Sequence, residues 1–163
     1  MAQRRAENEI RITPSVIDRL IDLEPDSKLE AAKSYTRSIA DLKQSIRRDL
    51  DWLLNTRRSI VDVDPGLEET SRSLAVYGLP DFIGSPLSNT NEQRAFVKHV
   101  EDAIKFFAPQ LIDLKISYEP PNSVDRSIAF RIEGRIDIEP TPEPVVFDTV
   151  LLLGSGEFGV KPG

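Results

Sequence analysis

The stretch SYTRSIADLKQSIRRDLDWLLNTRR, residues 34–58, decides the fold. Ile39, Leu42, Ile46, Leu50 and Leu53 recur at spacings of three, four, four and three, which is one apolar stripe on an α-helix. The opposite face carries Arg37, Asp41, Lys43, Arg47, Arg48 and Asp51, several at i,i+4 distances where opposite charges add a few tenths of a kcal/mol each. The pattern predicts a long helix with one buried and one wet face. Trp52 and Leu54 widen its apolar surface at the end, Asn55 marks the stop, and Arg57 and Arg58 complement the negative helix end.

Working outward, Asn89 to Phe107 predicts a second long helix. Asn89 and Glu92 have the spacing of a capping pair, and Phe96, Val100, Ala103, Ile104 and Phe107 form its buried stripe. From Leu111 the period changes from helix to strand. Ile112, Leu114, Ile116 and Tyr118 alternate with polar residues, as do Ile128, Phe130, Ile132, Ile136 and Ile138, while Val145 to Leu153 reads as a third, more apolar strand. Strands apolar on one face only imply an antiparallel sheet with one wet side. The expected architecture is α+β: two long helices packed on one face of a small antiparallel sheet. Before them, residues 1–34 predict an arm with a short amphipathic helix opened by Pro14 and Ser15, leaving residues 35–163 as the single domain. Glu139 to Pro144, with three prolines, predicts a stiff, extended connector.

Composition excludes more than it points to. With no cysteine and one histidine, His99, there is no disulfide, no thiolate or His-pair metal site and no ordinary Ser-His-Asp triad. The net charge of −6 argues against general attraction to nucleic acid or anionic lipid. No apolar run reaches the roughly 18–20 residues of a membrane span, and the first residues are charged, so the sequence predicts an unexported, cytoplasmic protein.

Two motifs invite a chemical interpretation. Gly154-Ser155-Gly156-Glu157-Phe158-Gly159 matches G-x-G-x-x-G after a strand, but a phosphate loop opens a helix, and the sequence from Gly159 runs only to Gly163; no cofactor site is expected. Acid pairs such as Glu119 with Asp125 exist among 27 acidic residues, yet no stretch suggests a saccharide cleft holding one of them protonated. No catalytic residue is assigned.

Longer strings carry a resemblance. Arg47 to Arg58, RRDLDWLLNTRR with Trp52 and Arg57, is similar to the signature of the TssE family, baseplate subunits of bacterial type VI secretion systems. Tyr77-Gly78-Leu79-Pro80-Asp81-Phe82 resembles that family's YGLPDF-like turn, and Pro14 to Leu20 its opening. TssE belongs with the phage baseplate wedge proteins historically labelled lysozyme-like. The resemblance implies a structural, non-enzymatic wedge subunit beside TssF and TssG that helps start polymerisation of the TssB and TssC sheath; the old label supplies the alternative, a peptidoglycan hydrolase. The family marker is a Glu-Pro-Arg turn after the first strand, a partner-binding corner. Here Glu119 and Pro120 match and Pro121 replaces the arginine, with Arg126 the nearest substitute in the same loop. A proline cannot supply the guanidinium fork, so the departure falls on the attachment.

Overall fold

The computed structural model describes residues 20, 35–59, 63–64, 66–71, 73–81, 90–118 and 127–163. The arm helix apart from Leu20, the Asn89 cap, Phe82, Glu119, Pro120 and Arg126 lie outside them.

Helix α1 spans Tyr35–Asn55 and α3 Thr90–Phe107; between them are the single turn α2, Glu68–Ser71, and a 3-10 turn, Leu74–Val76. Four strands follow, β1 Leu111–Tyr118, β2 Ser127–Ile136, β3 Glu143–Leu152 and β4 Glu157–Pro162, in one antiparallel meander of order β1-β2-β3-β4. The α+β architecture is the one the periodicities predict. Ile46, Leu50, Leu53 and Leu54 of α1 and Phe96, Val100 and Ile104 of α3 are buried against Ile128, Phe130, Ile132, Ile136, Phe147 and Leu151 of the sheet. Each such side chain contributes about 1.5–3 kcal/mol by leaving water. Phe96 ties the layers, meeting Phe130 edge-on at 5.8 Å and stacking with Phe158 at 6.3 Å.

On the wet face, the cross-strand ion pairs Lys115 with Glu133 at 3.9 Å and Arg131 with Asp148 at 2.7 Å lie in register, and Arg135 pairs with Asp113, next to its register partner Ile112. Exposed pairs of this kind are worth at most about 1 kcal/mol each and chiefly penalise a slipped register.

Several expectations are corrected. The fourth strand takes up Glu157, Phe158 and Gly159, so G-x-G-x-x-G is a hairpin turn and the start of a strand, not a loop leading to a helix. Trp52 does not widen the buried face; it is 49% exposed, with the Arg48 guanidinium 5.2 Å from its ring. Arg47 is not on the wet face but reaches the sheet, its guanidinium donating to the Val160 carbonyl at 3.3 Å. Arg57 and Arg58 lie past the last helical residue. In β1 the register breaks between Ile112 and Lys115, where Asp113 has φ 52°. Ile112 therefore sits opposite wet-face Arg135, and Leu111 takes the core position opposite Ile136. Gly134 lies across from this bulge, and a Cβ there would stand 3.2 Å from the Ile112 carbonyl oxygen. The predicted extended connector is a bend joining β2 to β3, with a cis Glu139–Pro140 bond.

The two edges of the sheet differ. In an antiparallel strand each residue directs its N–H and C=O to the same side. Phe158 and Val160 of β4 point outward, since Asn55 bonds to both backbone groups of Phe158 and Arg47 to the Val160 carbonyl, while outward-facing Pro162 has no N–H. Alternation through the β4–β3, β3–β2 and β2–β1 registers then sets Lys115 and Ser117 toward β2, and Ile116 and Tyr118 outward. Among the described residues nothing bonds to the outward backbone of Ile116 or Tyr118. The β4 edge is partly covered by α1, which takes both outward groups of Phe158 and the carbonyl of Val160, whereas on the β1 edge the outward groups of Ile116 and Tyr118 have no partner among the described residues.

Candidate assembly interface

The chain leaves α1 through a short, tightly built junction. Leu79 donates from its N–H to the Thr56 carbonyl at 2.9 Å and accepts from the Arg58 N–H at 2.8 Å, a parallel bridge that lays the Tyr77–Asp81 segment beside the helix exit. Gly78 makes this approach feasible: its φ is 100°, and a Cβ would fall 2.3 Å from the Thr56 oxygen. Leu79 is buried, and Tyr77 packs edge-on against Phe107 of α3 at 4.9 Å. Burial, and secondarily the nearby Asp49 carboxylate, raises the Tyr77 phenol above its ordinary pKa. Pro80 follows half-buried, and Asp81 faces Arg57 at 3.7 Å with both side chains more than half exposed. Of the signature residues, Gly78, Leu79, Pro80 and Arg57 thus meet at one junction, and Tyr77 anchors it to the second helix. Trp52 stands apart on the outer face of α1.

Asn55 ties the same junction to the sheet. Its amide nitrogen donates to the Phe158 carbonyl at 3.0 Å and its amide oxygen accepts the Phe158 N–H at 2.9 Å. This role had no signal in the sequence, where asparagine at a helix end reads only as a stop. The helix exit, the Leu79 segment and the β3–β4 hairpin together line a pocket of about 250 Å³.

Both hairpin connections at this end leave on one side of the sheet, because β1 ends at Tyr118 and β2 begins at Ser127 where β3 ends at Leu152 and β4 begins at Glu157. Tyr118, which precedes Glu119 and Pro120, is three strand spacings from Val160, roughly 14 Å across the sheet. Its hydroxyl is buried without a hydrogen-bond partner among the described residues, and burial raises its pKa. No group of three or more His, Asp or Glu side chains able to hold a metal occurs among the described residues, and none of the described helices is long and apolar enough to cross a membrane.

A helix pair laid over an antiparallel meander, with the β1–β2 and β3–β4 connections at one end and the β2–β3 bend at the other, defines a small α+β module. Comparison with known families matches residues 40–141, most of the chain, to baseplate wedge protein gp25, and the chain belongs to that family. The match runs from α1 through the β2–β3 bend and includes the whole junction. It makes the protein a structural baseplate component, one whose work is contact with other components. No curated protein matches the chain.

Proposed function

We propose that this chain is the wedge subunit of a type VI secretion baseplate, a cytoplasmic, non-enzymatic part that docks with TssF and TssG and starts the sheath by offering the β1 edge to a strand of the TssB and TssC polymer. The observation that carries it is the difference between the edges. An open edge accepts an extended segment through backbone hydrogen bonds, and proteins without such a partner normally blunt the edge. Here β4 is blunted by Asn55, Arg47 and Pro162, and the outward groups of Ile116 and Tyr118 are left without a partner among the described residues.

Docking to TssF and TssG is assigned to the turn after β1, with Glu119 presented on a corner stiffened by Pro120 and Pro121, and Arg126 as the cation of the same loop. Residues 1–34 act as an arm and residues 35–163 as the wedge domain. Co-expression of the tagged chain with TssF and TssG tests the assignment: recovery of both is expected, and their absence under conditions where TssF and TssG recover each other overturns it.

A further inference from the structure

The pocket beside Asn55 is not used by strand addition at β1 or by the turn after it. Its floor is apolar, with Leu54, Leu79, Leu151 and Phe158 all buried. Its rim carries two carboxylates, Asp81 from the turn and Glu157 from the hairpin, against one guanidinium, Arg57. Arg57 is engaged with Asp81, whereas the Glu157 carboxylate accepts only the Ser155 hydroxyl, at 3.2 Å, and has no cationic partner among the described residues. At about 250 Å³ the space is below the roughly 300–1,000 Å³ of small-molecule sites and suits one long side chain. A leucine would cover the floor and leave the Glu157 charge unanswered; an acidic group would be repelled. A long aliphatic stem with a cationic head matches both parts, the stem lying on apolar surface and the head staying at the wet rim.

We propose that this pocket seats one arginine or lysine side chain of a partner polypeptide, its stem against Leu79 and Phe158 and its charge on Glu157. The inference rests on the wedge role only for the origin of that polypeptide. The ¹⁵N-labelled full chain is titrated with N-acetyl-arginine amide and with the neutral isostere N-acetyl-citrulline amide, following the amide signals of Asp81, Gly156 and Glu157. Saturable shifts at these three residues are expected from the arginine compound, with binding of the citrulline compound weaker by roughly two- to fivefold, the size of an exposed ion pair. Glu157→Gln, an exposed position, should keep a dispersed spectrum and remove that difference. Absence of saturable shifts with the arginine compound, or equal binding of both compounds to the unmodified chain, overturns the proposal. No baseplate subunit is in the sample, so this failure and a failure to recover TssF and TssG are separate results.

Discussion

Asn55 and Phe158, 103 residues apart, exchange two hydrogen bonds of 3.0 and 2.9 Å, so that a side-chain amide at the end of a helix occupies the place of a neighbouring strand. The pairing closes part of the β4 edge and fixes the helix exit over the hairpin. Asn55→Ala should cost about 1–3 kcal/mol, the penalty for stripping partners from partly buried backbone groups. Asn55→Asp should recover less than half of this, because only the N–H of Phe158 then finds an acceptor while its carbonyl meets a second oxygen. Urea denaturation of the three proteins checks the order.

Gly78→Ala should destabilise by about 2 kcal/mol or more, combining a left-handed backbone with a Cβ driven into the Thr56 carbonyl. Gly159→Ala is the contrast, since a Cβ there meets nothing within 4 Å; its stability should be unchanged or raised by about 0.5–1 kcal/mol. Thermal melts of both variants decide whether the junction, and not glycine loss in general, is the sensitive element.

Leu50 is 0% exposed on the α1 stripe, and Leu50→Asp should unfold or severely destabilise the domain, by several kcal/mol. Arg47→Ala should cost only about 1 kcal/mol, the loss of one hydrogen bond to Val160. Equal circular-dichroism melting temperatures for Leu50→Asp and the unmodified chain would refute the buried face of α1.

Proline separates the two sides of β1. At Ile116 the N–H points outward, so Ile116→Pro should leave a folded protein, weakened by about 1–2 kcal/mol through lost packing, that no longer supports sheath assembly. At Ser117 the N–H serves the ladder with β2, and Ser117→Pro should cost about 3 kcal/mol or more. Melting curves combined with fluorescence imaging of sheaths check the pair; normal sheaths with Ile116→Pro would exclude strand addition at this edge.

Glu119→Ala should fold within about 0.5 kcal/mol of the unmodified chain while losing about 2–5 kcal/mol of binding to TssF and TssG, the cost of truncating one partner of a charge pair buried at an interface. A pull-down recovering both at the unmodified level would show Glu119 to be an ordinary turn residue.

How far the sequence could be followed depends on how each contact is encoded. The α1 and α3 stripes were legible because helices with one buried face repeat their apolar residues every three or four positions, and Ile46, Leu50, Phe96 and Val100 obey that period. The β1 bulge was not, since a single extra residue reverses the face of Leu111 and Ile112 without altering the alternation after it. β4 was missed because Phe158 and Val160 are its only apolar residues in a setting of Gly159, Lys161 and Pro162, too short a pattern to outweigh the glycine spacing before it. Arg47 looked solvated because a long side chain can lie on a polar helical face and still reach a neighbouring strand. In the candidate interface, YGLPD announced a turn, but its partnership with Thr56 and Arg58 depends on tertiary approach, which leaves only Gly78 as a trace.

A sheet with one edge covered by a helix and the other uncovered among the described residues is directional. Were both edges available, each copy could take a neighbour on either side and the protein could stack on itself without limit. With α1 lying along β4, pairing through β1 ends after a single step: two copies joined edge to edge would use up the uncovered β1 backbone groups, and one copy joined to a foreign strand would do the same. In the proposed role the covered edge would make the module a seed that does not become its own polymer, so the number of starting points would be set by how many copies are installed.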